Sequence, residues 1–518
     1  MVRAHRGLAA LVTVPLALVL LVTSGCGTIG QWVTPQPSAA SAPGTGSLTW
    51  RACPEIAKEQ LRTVPTTITY ECASVAVPQD WSTAKDGKPA DGKTFSIALL
   101  RARSTGQRNR VGSLLTDPGG PGASGVEFAT QLSTELPTEI LRRFDIVGFD
   151  PRGVGRSNPV RCYSDADLDA SFAAEPDPIS DAEFDAVVAL QARAARTCGA
   201  KYGDSLRLFS TEQTARDMDA IRAALGDSKL TYLGYSYGTL LGAVYAQLFP
   251  TRIRAMVLDG AIDPLLTTVD SALDQAKGFE RAFTNFTTWC RLNPKPCPIG
   301  PDARATVTDV LRAARQAPLA SRGRTATAGW VLTAVVAALY SQDGWPILAT
   351  AIDDLRHGNA ARVLALADLY GERDATGHYN NLIDVLTTVS CNDDATTTIS
   401  RDKARQLQSD WRTQYPLVGP YLAVSLLSCA QWPAQRDPYP TGKAVGAPPI
   451  VVVGTTGDPA TPYENTARLA EMLGVGVVLT WQGEGHTAYP HPGCVSDAID
   501  TYLLELTPPP AGTICPPA

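Results

Sequence analysis

Residues 234–238 read Gly-Tyr-Ser-Tyr-Gly, between an apolar run ending at Gly234 and a helical stripe beginning beyond Gly238. A serine with glycine two positions away on either side suits a sharp strand-to-helix turn, where the main chain passes too close to itself for a Cβ. Such a turn lifts the Ser236 hydroxyl to the N-terminus of the next helix, where free backbone N–H groups favour developing negative charge. The flanking residues fit that context. Ser210 and Gln213 form a capping-box pattern, Met218, Ile221 and Leu225 recur at helical spacing, and Gly226 stands where a glycine stop belongs. A strand over 230–234 follows, then a helix burying Leu240, Leu241, Val244, Tyr245 and Leu248 and closed by Pro250. A plain structural turn is the competing reading, and the strand before and helix after weigh against it.

Further apolar, β-rich runs occupy 69–77, 95–101, 112–116, 144–149, 255–259, 449–454 and 477–482, alternating with helical stretches. That alternation predicts a largely parallel sheet covered by helices, with the first two strands antiparallel. From Pro264 to about Ala444 the pattern is helical, and strand-like runs resume only at Pro449. A tandem second domain would explain the change. However, the resumed strands carry chemistry that the first half lacks, which favours one fold with an insertion. The expectation is an α/β-hydrolase fold: a mostly parallel eight-stranded sheet, core segments 48–264 and 445–518, and a helical cap over 265–444.

The N-terminal segment belongs to export rather than to the fold. Arg3 and Arg6 precede an apolar run over 8–22, too short to span a bilayer comfortably, so 1–25 reads as a secretory signal. Thr23-Ser24-Gly25-Cys26 resembles a bacterial lipobox and predicts a lipidated Cys26 that anchors the protein to a membrane; Thr23 departs from the usual aliphatic residue, and cleavage with release is the alternative. Residues 34–47 hold only Thr, Pro, Gln, Ser, Ala and Gly, a composition that cannot bury enough surface to fold, so 26–47 reads as a tether. The chain has 11 cysteines and no C-x-x-C pair, which disfavours zinc or a redox motif and favours disulfides in an exported protein. Many connectivities are open. Local pairing closes the shortest loops: Cys53–Cys72, Cys162–Cys198, Cys290–Cys297, Cys391–Cys429 and Cys494–Cys515. A net charge of −6 with no basic run gives no footprint for nucleic acid.

A serine nucleophile needs a base. Of five histidines, His5 lies in the signal, His357 and His378 lie in the helical segment, and His491 stands between two prolines. His486 follows Gly483-Glu484-Gly485 directly after the last strand, where an α/β-hydrolase places its base. The acid should fall between serine and histidine in chain order, and Asp458, closing Gly454-Thr455-Thr456-Gly457-Asp458, fits. Asp259, ending the strand over 255–259, is the alternative acid, although its successors read as a turn into the cap. The loop Asp117-Pro118-Gly119-Gly120-Pro121-Gly122 follows the third strand, so backbone N–H groups of Gly119 and Gly120, with that of Tyr237, are candidates for an oxyanion hole. This loop lacks a P-loop lysine and is not a G-x-G-x-x-G fingerprint, so no nucleotide cofactor is expected, and no metal.

With these pieces in order, the chain resembles the actinobacterial tripeptidyl aminopeptidases, secreted relatives of the prolyl aminopeptidases, and above all their mycobacterial cell-envelope branch of serine proteases and carboxylesterases. The matching stretches are DPGGPG at 117–122, FDIVGFDPRGVGRS at 144–157, DMDAIRAALGDSKLTYLGYSYG at 217–238, GDPATPY at 457–463 and GHT at 485–487. The resemblance implies an exopeptidase that removes tripeptides or similar units from free N-termini of peptides or proteins. It also implies that Thr461 supports the triad; a helix N-cap or turn is the other reading of that residue. Pro118 departs from the histidine that opens the corresponding prolyl-aminopeptidase loop, which weakens any transfer of single-proline specificity. An aminopeptidase should hold the substrate ammonium with a carboxylate. Asp393 and Asp394 are candidates, and Glu372 and Asp374 weaker ones, against the ordinary reading of such charges as a solvated face. A carboxylesterase using the same triad is the second functional reading, and an inactive binding protein on this fold the third.

Overall fold

The strands fall into two kinds, distinguished by burial. In β4 (Gly112–Asp117), β5 (Phe144–Phe149) and β6 (Leu230–Tyr235) every residue is buried, the signature of parallel strands covered on both faces. The longer β2 (Ile68–Pro78) and β3 (Thr94–Ser104) alternate buried and accessible residues and pair antiparallel along their whole length. The computed structural model describes residues 48–321, 323–395, 398–491 and 493–517, so the expected signal, Cys26 and the whole spacer lie outside the described residues.

The remaining strands are β1 (Arg51–Ala52), β7 (Ile253–Asp259), a small hairpin of β8 (Leu319–Ser321) and β9 (Arg324–Ala326), β10 (Ile450–Gly457), β11 (Gly476–Glu484) and β12 (Thr513–Cys515). The main sheet has ten strands in the order β1-β2-β3-β5-β4-β6-β7-β10-β11-β12. It is parallel from β5 through β12 and antiparallel at β1/β2, β2/β3 and β3/β5. This corrects the expected count of eight. The extra strands, β1 and β12, are edge pieces of two and three residues, too short for any periodicity to reveal. Each borders a cysteine bridge, Cys53–Cys72 beside β1 and Cys494–Cys515 at β12. The other six cysteines among the described residues pair as Cys162–Cys198, Cys290–Cys297 and Cys391–Cys429.

The helix Thr211–Ala224 buries Met218 and Ile221, and Ser210 caps it by accepting from Gln213 N–H. Only half of the expected capping box forms. The Gln213 side chain accepts instead from the backbone N–H of Trp81, tying the helix to the end of β2.

Between β7 and β10, apart from the β8/β9 hairpin, the regular structure is helical, from Thr268–Leu292 to Gly419–Ser425, around a core that includes Phe279, Phe283, Phe286, Trp330, Val335, Trp345 and Leu348. This layer is wider than the segment 265–444. Two helices that follow β5, Asp165–Ala173 and Asp181–Tyr202, join it: Leu168 enters the same core, and Phe184 packs on Ala404, Val424 and Leu427. Amphipathic helices bury their stripes against whichever apolar face lies nearest, so position along the chain did not decide their layer.

The consequence for function is geometric. Strands β4, β6, β7, β10 and β11 run the same way, so the loops after their C-terminal ends meet at one edge of the sheet, beneath the helical layer.

Just below that edge Arg152 is 1% exposed and grips Asp217 through two hydrogen bonds of 2.8 and 2.6 Å, while donating to the carbonyls of Gln79 and Leu208. Removing one partner of a buried pair leaves the other charge desolvated. Arg152→Ala is expected to lower unfolding free energy by about 3–5 kcal/mol, read as a shift of the urea midpoint.

Candidate active site

Ser236 is where the sheet turns into a helix. It takes φ +54°, ψ −120°, a left-handed conformation rare for a residue with a side chain, and it heads the helix Tyr237–Leu248. The surroundings impose the turn. A Cβ on Gly234 would lie 2.4 Å from the carbonyl oxygen of Gly238, and one on Gly238 would lie 2.9 Å from the carbonyl oxygen of Asp117. Ser236 N–H donates to the Asp259 carbonyl at 2.9 Å, locking the turn to the tip of β7. Its neighbours on both sides are buried, whereas Ser236 keeps accessible surface.

The glycine loop lies directly against this turn. Gly119 and Gly120 have φ of +96° and +108°, and a Cβ on Gly119 would come within 3.0 Å of both Ser236 Cβ and the Tyr237 nitrogen. Gly119 N–H, however, already donates to the Asp117 carboxylate at 2.9 Å. This corrects its expected place among the oxyanion donors. Gly120 and Tyr237 remain the candidates, because a donor committed to a carboxylate is poorly available to a substrate oxygen. Burial pushes Asp117 up to about 7, against the pull of that single backbone bond.

Asp458, buried at the end of β10, accepts from Ala460 N–H and Thr461 N–H at 2.9 Å each, Thr461 Oγ1 at 3.0 Å and Thr487 N–H at 3.3 Å. It also receives Nδ1–H of His486 at 2.9 Å. With Nδ1 carrying that proton, Nε2 is left as the ring's acceptor. Burial opposes a charge on the imidazole, but the Asp458 charge and hydrogen bond, with Asp259 behind them, outweigh it and hold His486 above its ordinary pKa. Thr461 Oγ1 touches both members, lying 3.3 Å from His486 Nδ1. The link to the serine runs through β7: Gly260 follows Asp259, and a Cβ there would sit 3.2 Å from His486 Cε1.

Asp259 has a different task. It is fully buried, and it accepts from the backbone N–H groups of Ala488 and Tyr489, bracing the loop just past His486 rather than the imidazole. Burial pushes it up to about 7. His491 stacks on Trp481 at 4.7 Å, and His357 and His378 are exposed beside Asp353 and Asp165.

Of the carboxylates considered for a substrate ammonium, Asp393 accepts from Thr211 N–H at 3.0 Å and Thr211 Oγ1 at 2.5 Å, and Asp394 from Thr268 Oγ1 at 2.9 Å. Asp374 is exposed and caps its own turn through Thr376 and His378. Glu372 is accessible yet crowded: burial, with the like charge of Glu127, pushes it up to about 7.

Tyr340 is a neighbour of the site that no motif marks. Its carbonyl accepts His486 N–H at 2.8 Å, and its ring stands edge-on to the imidazole at 5.3 Å. Tyr370 packs against it at 5.9 Å and keeps accessible surface. A lone tyrosine after an apolar helix carries no motif, so only the fold could reveal it. In a histidine NMR titration, His486 is expected to titrate above about 6.5. Asp458→Asn should lower that midpoint, because the charge that offsets burial is gone; an unmoved midpoint would mean the pairing does not exist in solution.

Comparison with known proteins supports the same frame. A family model described as "TAP-like protein" matches residues 415–515, the stretch that holds Asp458 and His486. The chain is 38% identical over 473 residues to serine protease Hip1 of Mycobacterium tuberculosis, covering 86% of this chain and 87% of that one. It is 38% identical over 513 residues to carboxylesterase B of the same organism, covering 93% and 94%. To the tripeptidyl aminopeptidase of Streptomyces coelicolor it is 33% identical over 458 residues, covering 84% and 81%.

Proposed function

The chain belongs to the tripeptidyl-aminopeptidase-like family of α/β-hydrolase serine peptidases, and from that premise we propose that it releases tripeptides or similar short units from peptide N-termini through an acyl-enzyme on Ser236. The observation that carries the reading is the Asp458–His486 pair beside the strained Ser236 turn, with Tyr340 of the helical layer set edge-on to the imidazole.

Each step follows from these positions. Ser236 Oγ attacks the scissile carbonyl while His486 Nε2 takes its proton, and Asp458 stabilises the imidazolium. The carbonyl oxygen becomes an oxyanion held by the N–H groups of Gly120 and Tyr237. Collapse breaks the C–N bond, and His486 returns the proton to the leaving amine. Water then attacks the acyl-enzyme, with His486 again as base, and frees the short peptide and the serine. Thr461 keeps the imidazole and carboxylate aligned through its contacts with both.

A carboxylesterase is the second reading, favoured by the likeness to carboxylesterase B, because the same steps act on an ester without an amine anchor. Peptidyl anilides with free and acetylated N-termini separate the two. The free amine is expected to be cleaved at least about 100-fold faster in kcat/KM, with Ser236→Ala inactive on both; equal rates would defeat the aminopeptidase reading. Activity should fall as the pH drops through the raised His486 value, since only the neutral ring accepts the serine proton.

Five disulfides fit an oxidising compartment. The leader and Cys26 extend that reading to export and lipid anchoring at the cell envelope. Incorporation of a lipid label, lost in Cys26→Ser, tests it; an unlabelled wild type would favour the released form.

A further inference from the structure

Asp393 closes the helix Leu382–Asp393, two residues beyond the Cys391–Cys429 bridge. Both of its oxygens reach one residue, Thr211, at the amide and the hydroxyl. Thr211 Oγ1 in turn lies 2.6 Å from the phenol of Tyr237, and both Thr211 and Tyr237 are buried. A hydroxyl has one proton, and the carboxylate takes it, so the tyrosine O–H donates to Thr211. The result is a directed chain: Tyr237 to Thr211 to Asp393.

The surroundings hold Asp393 in place. Next to it, Asn392 donates to the carbonyls of Leu206 and Phe209 at 2.8 and 2.9 Å and accepts from Trp432 Nε1 at 2.8 Å. Ser210, which caps the helix beginning at Thr211, donates to Asp437 at 2.7 Å. The cap therefore docks on the N-terminus of this helix through several independent contacts. Tyr237 follows Ser236 in the turn, its nitrogen lies against Gly119, where a Cβ would come within 3.0 Å of it, and its phenol is held by the chain just described.

We propose that Asp393 is a positioning residue for the oxyanion hole, acting through Thr211 and the Tyr237 phenol to aim the Tyr237 N–H. The inference rests on the assignment of that N–H as an oxyanion donor. It differs from the role of Asp393 as an ammonium anchor, because a misaimed donor harms turnover of every substrate, amine-bearing or not.

The test uses Asp393→Asn, Tyr237→Phe and their double variant, each assayed on a free-amine tripeptidyl anilide and on a short acyl ester. Each single variant is expected to lose about 10-fold in kcat on both substrates, with KM within about twofold. The double variant should be no slower than the slower single one, because both break one chain. A KM increase confined to the free-amine substrate, with ester turnover intact, would overturn the proposal in favour of the anchor. Multiplying effects in the double variant would overturn the coupling. Ser236→Ala is run alongside: if it keeps activity, the active-site assignment fails, and not merely the role of Asp393. Should Asp393→Asn not fold, Thr211→Val and Tyr237→Phe decide, and wild-type kcat in either overturns the proposal.

Discussion

A carboxylate with no solvent access must be satisfied from within the protein, and Asp458 meets that demand with donors from two separate loops. Ala460 and Thr461 come from its own loop after β10, while His486 and Thr487 come from the loop after β11. Backbone N–H groups and the Thr461 hydroxyl share its oxygens with the imidazole. The same demand fixes the geometry, since any slippage between β10 and β11 would strip donors from a buried charge. Their parallel pairing, and the placement of both loops at one sheet edge, are therefore tied to the electrostatics of one side chain.

Asp259 applies a related constraint one strand away. By accepting from Ala488 and Tyr489 it anchors the far side of the His486 loop, while its carbonyl takes the Ser236 amide. A single residue at the tip of β7 thus connects the serine turn on one side with the histidine loop on the other. Two acids at strand ends divide the work: one holds the imidazole and the other holds the backbone that presents it.

That division shows what a sequence can and cannot carry. The serine turn was legible because its constraint is local: glycines at 234 and 238 answer to carbonyls within a few residues or on the adjoining strand. Asp458 and His486 were legible through chain order and through their place just after predicted strands. Which of two strand-end acids meets the ring is a matter of strand order and was left as a preference between Asp458 and Asp259. The Gly119 amide was misjudged because its use depends on how the Asp117 side chain turns back, and no pattern in DPGGPG encodes that. Helices 165–173 and 181–202 were assigned to the core segment for the same reason: an apolar stripe announces burial but not its partner. Tyr340 was invisible, because its role lies in a backbone carbonyl that any residue possesses.

These long-range contacts change how the helical layer should be understood. A lid that swings freely would touch the loops after β10 and β11 only through side chains that can separate. Here Tyr340 bonds the main chain of His486, and Ser341 bridges Gly485. Asn285 donates to both oxygens of Glu484, two residues before the histidine. Gly278, in the same long helix, approaches the Pro459 carbonyl so closely that a Cβ would lie 2.4 Å away. Opening the layer at these points would unpair buried backbone groups and unseat His486 in the same motion. The layer is better regarded as part of the scaffold that aims the imidazole.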